Sequence, residues 1–244
     1  MSRFKAFLIH LGISAAIFMA LVGMIVFVWY PQPFFAADGG WQGIRIIAGV
    51  DLVLGPTLTL IVFKPGKKGL KFDLTLIGLA QAAALAWGIW IVHDQRTALV
   101  TYADGAFYSL TPERIALVGD KAIEIMQSAE RPPAYAFVRL PADPGERLAF
   151  KKWSIFAGAP LYQHGDRYEP LGPGNLPEVF ERSLPLESYL KRSEQHTAWW
   201  QAFLDRHGGS AADYALVPLY CRYADLILVL RRADGGIVDS LEAF

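Results

Sequence analysis

Residues 41–73 read WQGIRIIAGVDLVLGPTLTLIVFKPGKKGLKFD, and three features of that stretch decide the fold. The first is an apolar run: a helix from about Ile44 to Phe63 is about 30 Å long at about 1.5 Å per residue, which matches the hydrocarbon core of a bilayer. The second is a carboxylate, Asp51, inside that run. The third is the turn that follows, which carries Lys64, Lys67, Lys68 and Lys71. Short lysine-rich loops resist translocation, so this turn is expected on the cytoplasmic side, and every other segment takes its side from it.

Upstream, an apolar run from Ala6 to Tyr30 is interrupted only by His10 and Ser14. A signal peptide has a similar basic start, but its apolar region is about 7 to 15 residues and ends at small residues. Here the run is longer, and Phe34 and Phe35 stand where small residues should be. An uncleaved anchor over about 6–30 is expected, with Arg3 and Lys5 holding its start inside and Trp29 and Tyr30 closing its far end as an aromatic belt. The loop from Pro31 to Gln42 has no Lys or Arg, which suits the outer face. Downstream of the lysine turn, a third helix over about 72–92 leads out again, with Asp73 in its first turn, where the helix dipole and Lys71 favour a carboxylate. Trp87 and Trp90 lie near its exit. The expected topology is multi-pass, N-terminus in the cytoplasm and everything after His93 on the far side.

The chain is thus expected to hold a three-helix membrane domain (1–92) and a soluble domain (93–244). Seven of its 23 basic and three of its 23 acidic residues fall in the first, which leaves the second with 16 and 20. That mildly acidic balance offers no footprint for nucleic acid. Cys221 is the only cysteine, so the soluble fold must rest on its core rather than on disulfides. Strand-sized runs flank Asp104-Gly105, a hairpin signal. Thr111-Pro112 opens a helical stretch to about Ser128 with a break near Gly119. Residues 134–140 read as a strand, and 141–185 as Gly- and Pro-rich loops with a short helix near Pro177. Leu186 to His207 has helical spacing and ends at Gly208. Two or three strands follow. The expected class is three transmembrane α-helices followed by an α+β domain with a mainly antiparallel sheet.

Asp51 is the leading candidate for a functional role. A carboxylate inside the hydrocarbon costs about 2.5 to 3.5 kcal/mol on translocon-type scales, so it calls for a partner or a wet cavity. Arg45 is six residues away, about 600° around one helix, and therefore faces elsewhere; it can snorkel to the outer interface. Gln81 or the Trp87 indole on the third helix and Ser14 on the first are the internal partners open to Asp51. Asp51 either holds a client helix or packs its own three helices together. Pro56 removes the bond to Leu52 and, with Gly55, sets up a kink, while Gly49 and Gly55 offer points of close approach. Trp199 and Trp200 point about 100° apart on a helix, one toward the core and the other toward a rim or a partner. His164 and Asp166 make only two metal ligands where zinc takes at least three. Gly172-Pro-Gly174 lacks the Lys and Ser/Thr of a phosphate loop. Cys221 reads as a structural thiol, and no serine sits in a nucleophile elbow. No cofactor is expected.

The block GIRIIAGVDLVLGPTLTLIVFKPGKKGLKFDLTLIGLAQ, with FKAFLIHLGIS before it and FVWYPQPFF between, resembles the type IV pilin accessory proteins of the TfpX/TfpZ kind. The resemblance covers roughly the first hundred residues and includes Trp41, Arg45, Asp51, Gly55, Pro56, Lys64, Pro65 and Asp73. It implies a non-enzymatic protein of a Gram-negative inner membrane, with its C-terminal domain in the periplasm. Such a protein acts beside the major pilin in pilus assembly and twitching motility, with the inner-membrane assembly platform as a further expected neighbour. Arg45, Asp51, Gly55, Pro56, Gln81, Trp199 and Trp200 are then the candidate partner-binding residues. Two other classes stay open: a membrane-anchored sensor or binding module, whose cytoplasmic parts would need an output partner, and a pilin-modifying enzyme, which would need convergent carboxylates or a metal in the outer domain.

Overall fold

Each apolar run of the first hundred residues forms a helix in the computed structural model, which describes residues 2–191 and 193–242. Met1, Arg192, Ala243 and Phe244, at the ends of the two expected domains and within the expected 186–207 helix, lie outside the described residues. The chain divides into two units, Met1–Arg96 and Thr97–Phe244.

Helix α1 runs Arg3–Trp29, α2 Gly40–Val62 and α3 Leu70–Asp94, the three helices among the described residues that are long and apolar enough to cross a membrane. The Ser2 side chain starts α1 by accepting from the Lys5 amide at 3.2 Å. Wide π turns interrupt two of the helices, at Ile25–Trp29 in α1 and at Gly49–Leu54 in α2. The second has a local cause: Pro56 has no N–H to give Leu52, and the Gly55 amide bonds Val50 instead. Between α2 and α3, Gly66 and Gly69 take φ of 77° and 82°, which lets the lysine turn reverse. Lys67 Nζ meets Asp73 at 2.6 Å at the foot of α3.

The unit has a core of Ile25, Tyr30, Phe35, Ile47 and Val92. Its outer faces present Ile13, Phe27, Val53, Ile61, Phe72 and Leu79, all exposed. Exposed apolar side chains forgo about 25 cal/mol per Å² in water, and contact with lipid removes that penalty. Tyr30 is not part of an outer belt: it is 2% exposed and its hydroxyl donates to the Val92 carbonyl at 2.9 Å.

The second unit is an α/β fold. Its strands are β1 (Leu99–Ala103), β2 (Ala106–Leu110), β3 (Ala134–Val138), β4 (Tyr168–Pro170), β5 (Tyr214–Tyr220), β6 (Leu226–Arg231) and β7 (Ile237–Glu242). Among the described residues they form one sheet in the order β4-β3-β1-β2-β5-β6-β7. Asp104 and Gly105 turn the β1–β2 hairpin with φ of 50° and 101°, as a two-residue primed turn requires.

The sheet is mixed rather than mainly antiparallel. β3 lies parallel to β1 and β5 parallel to β2, on either side of the hairpin. Parallel neighbours need long crossovers, and the chain supplies them. Helices α4 (Pro112–Val118) and α5 (Asp120–Ser128) carry it from β2 to β3. The segment with α7 (Leu176–Glu181), α8 (Leu186–Leu190) and α9 (Glu194–His207) carries it from β4 to β5. Hairpin signals are local and do not say which edge the next element joins.

A second correction concerns 141–185, expected as loops with one short helix. Residues Pro144–Phe156 form α6, started by Asp143, whose carboxylate accepts from the Glu146 amide at 2.8 Å, with Pro144 in the first turn. The expected 186–207 helix is split into α8 and α9, with Ser193 capping the restart.

One side of the sheet packs Leu99, Leu110, Ala134 and Val138 against Ile115 of α4 and Ile125 of α5. Farther along, Leu216, Ile227 and Val229 pack with Tyr189, Trp200 and Phe203.

Candidate functional site

Polar residues of the apolar helices gather at two levels. Asp51, in the π turn of α2, is 1% exposed. Its Oδ1 accepts from Ser14 Oγ of α1 at 2.9 Å and from Gln81 Nε2 of α3 at 2.6 Å. Gln81 Nε2 also lies 3.3 Å from Ser14 Oγ and 3.4 Å from the Asp51 carbonyl oxygen. One carboxylate oxygen thus ties all three helices. Among the described residues, Asp51 Oδ2 and Gln81 Oε1 are buried without a hydrogen-bond partner. At the second level, His10 Nδ1 and Thr59 Oγ1 join α1 to α2 at 2.6 Å.

Glycine makes the first level possible. A Cβ at residue 55 would overlap the Gln81 amide, so Gly55 lets α3 bring its glutamine against α2, with Pro56 buried beside it. Gly43 plays the same part for Val92, where an added Cβ would lie 2.9 Å from a methyl group. Gly49 does not act as a close-approach point: nothing lies within 4 Å of a Cβ placed there.

Of the candidate residues, Asp51, Gly55, Pro56 and Gln81 come together. Arg45 is exposed and stands apart from this cluster, and Trp87, 64% exposed, lies tilted against the Trp90 ring instead of reaching Asp51. Trp200 is buried in the second unit, in ring contact with Phe203 at 5.2 Å, and Trp199 is half-buried against the same ring at 5.5 Å. Sequence reasoning gave Thr59 no role; a threonine in an apolar helix carries little signal until its partner histidine is located.

The cluster offers one carboxylate with two neutral donors, a set suited to hydrogen bonding between helices. In the second unit, His164 Nε2 lies 3.2 Å from both Ser154 Oγ and the Ala159 carbonyl oxygen, with its ring against Phe150 and Trp153. Asp166 points to solvent. Among the described residues, no three His, Cys, Asp or Glu side chains are grouped to hold a metal.

Charged side chains of the second unit form a chain of ion pairs. Asp104 at the hairpin tip meets Lys151 of α6 at 2.5 Å and also Arg182; Arg182 and Arg147 both reach Glu178, each at 3.9 Å. Arg139 bridges Glu178 and Glu169 at 3.3 and 2.8 Å. The hydrogen bond from Arg139 holds the Glu169 carboxyl below its ordinary range. Burial acts on the phenols: Tyr102, Tyr135 and Tyr168 are pushed up to about 12.

Residues 1–39 match the family described as fimbrial assembly protein FimB. Over 96 residues, 38% of this chain, the sequence is 34% identical to the fimbrial assembly protein of serogroup E1 of Dichelobacter nodosus, and that match spans 37% of the relative's length. The fimbrial assembly protein of serogroups C1 and C2 of the same organism is 33% identical over 96 residues, and there the match spans 73% of the relative. No solved structure matches the chain.

Proposed function

The chain belongs to the fimbrial assembly protein family, and on that premise we propose that it is a non-enzymatic membrane protein of type IV pilus biogenesis that binds the major pilin and modulates its entry into, or release from, the fibre. In this reading α1, α2 and α3 cross the bacterial inner membrane, with the N-terminus and the lysine turn in the cytoplasm and Thr97 onward in the periplasm. Arg3, Lys5 and the four turn lysines support that orientation.

The observation that carries the proposal is the pairing of the fimbrial relationship with a helix bundle whose apolar side chains face outward. A pilin awaiting assembly presents an apolar stem helix in the same bilayer. The Ser14–Asp51–Gln81 contacts favour a packing role for Asp51, which keeps the three helices in one arrangement. The stem would then lie along the outer face of α2, where Val53 and Leu54 are exposed next to the Asp51 turn and Arg45 is exposed nearer its start. Trp199 is the candidate contact for the pilin head.

Deletion of the protein should lower the number of surface fimbriae and impair twitching, and the count repeated without the retraction motor separates an effect on assembly from one on release. A photo-crosslinker at Val53 should capture pilin. Unchanged fimbriae in the deletion strain, or capture of nothing but the protein's own helices, would overturn the reading.

A further inference from the structure

Helix α6 turns mostly polar side chains inward and most of its apolar ones outward. The side turned toward the second unit carries Phe150, which packs against the sheet core, and three polar side chains, Arg147, Lys151 and Ser154. All three are engaged there: Arg147 Nε donates to the Pro141 carbonyl at 2.8 Å, Lys151 pairs with Asp104, and Ser154 Oγ donates to the Ala159 carbonyl. The side turned outward carries Leu148, Trp153, Ile155 and Phe156, which are 53%, 56%, 79% and 89% exposed. At about 100° per residue, these positions and Lys152 share one half of the helix surface.

A surface helix of a water-soluble domain turns its apolar stripe to the core. Here ion pairs and hydrogen bonds hold the opposite side down, so the apolar side stays outward without a strained or loose helix. Leu117 of α4, 83% exposed, adds to the apolar surface of the same unit. It borders a cleft of about 330 Å³ with Val118, Tyr162 and Ala159, the last of these three residues beyond the end of α6.

We propose that the outward face of α6 is a lipid-binding surface that seats in the interfacial layer of a bilayer. Two observations select lipid as the occupant. The face combines Trp153 and Phe156 with Leu148 and Ile155 around an exposed cation, Lys152, and the stretch from Leu148 to Phe156 contains no carboxylate. Aromatic rings and lysines over aliphatic side chains are the chemistry of interfacial helices, and the cation suits phosphate-bearing and anionic headgroups. Chain connectivity is the second: Gln95 and Arg96 alone separate α3 from Thr97, so the unit cannot leave the neighbourhood of any bilayer that α3 crosses. A tether that short gives the face a high local concentration of lipid. The inference rests on the membrane reading of α1 to α3.

The test uses the full chain reconstituted in vesicles of phosphatidylethanolamine and phosphatidylglycerol, with a benzophenone amino acid at Phe156, at Leu79 on the exposed face of α3, or at Glu124 on the exposed side of α5. After irradiation, mass spectrometry should find phospholipid adducts at positions 79 and 156, with yield at 156 on the order of tenfold above that at 124. Adducts at 79 but not at 156 overturn the lipid surface and leave the membrane reading standing. Adducts at neither overturn both. Polypeptide adducts at 156, to a second copy or to added pilin, overturn it in favour of a protein interface. Ile155→Ser with Lys152→Ser, both at exposed positions and so compatible with folding, should reduce the yield at 156 and leave that at 79 unchanged.

Discussion

Gln81 Nε2 stands 2.6 Å from Asp51 Oδ1, while the glutamine's own carbonyl oxygen fills the space in front of Gly55. Hydrogen bond and close approach therefore depend on each other, because α3 can deliver its amide only where α2 has no side chain. In lipid, hydrogen bonds between helices contribute about 0.6 kcal/mol on average and up to about 1.7. Asp51→Ala and Gln81→Ala should each destabilise the bundle by about 1 kcal/mol, and the double variant by less than the sum. Detergent-titrated unfolding followed by circular dichroism measures this; additive losses would show that the two side chains act independently.

Substitutions at the glycines of α2 should part sharply. Gly49→Ala meets open space and gains helix propensity, so stability should hold or rise by up to about 1 kcal/mol. Gly55→Leu collides with Gln81 and should separate α2 from α3, costing about 1 to 3 kcal/mol as overpacking does. Cysteine crosslinking between the two helices, strong in the first variant and lost in the second, reads the difference.

The buried phenols predict alkaline behaviour. Tyr102, Tyr135 and Tyr168 release their protons only at about 12 in the folded chain, against about 10 for an unfolded tyrosine. Below about pH 10 both states keep the proton, and no stability is lost. Between about pH 10 and 12 only the unfolded chain ionises, so stability falls as pH rises. Phenolate absorbance from these three residues should appear together with loss of tertiary structure, not ahead of it.

Asp104→Asn keeps a residue that tolerates the left-handed turn and removes its charge, which strands Lys151 and leaves Arg182 only its longer contact with Glu178. These side chains are partly exposed, so the loss should be about 1 kcal/mol or less and should shrink at high salt. Hydrogen exchange at the β1–β2 hairpin and at α6 should quicken at low ionic strength, and the difference from the parent chain should fade in concentrated salt.

The three helices of the first unit were readable because each apolar run is long and continuous and the glycine- and lysine-rich turn marks where the second ends and the third begins. Ser14 and Gln81 could be named as partners of Asp51 since polar residues inside apolar runs are few. Thr59 escaped because threonine is unremarkable in such a helix, and Gly49 misled because spacing alone does not tell which glycine faces a neighbour. In the second unit the Asp104-Gly105 turn and the Thr111 cap announced themselves locally. The parallel pairing of β1 with β3 did not, since it depends on how far α4 and α5 carry the chain. Helix α6 was passed over despite Asp143 and Pro144 at its start. Most of its apolar residues face away from the domain, and Phe150 by itself does not make the core-facing stripe that marks a surface helix.

Asp51 and Thr59 are eight positions apart, about 800° along a regular helix and so about 80° out of alignment. Yet both meet α1, one at Ser14 and the other at His10. The wide turn at Gly49–Leu54 takes up more residues per circuit and winds the later part of α2 back toward the same side. It works as a phase corrector: removing a single residue from it would leave the hydropathy of the helix almost untouched while turning one of the two latches away from its mate.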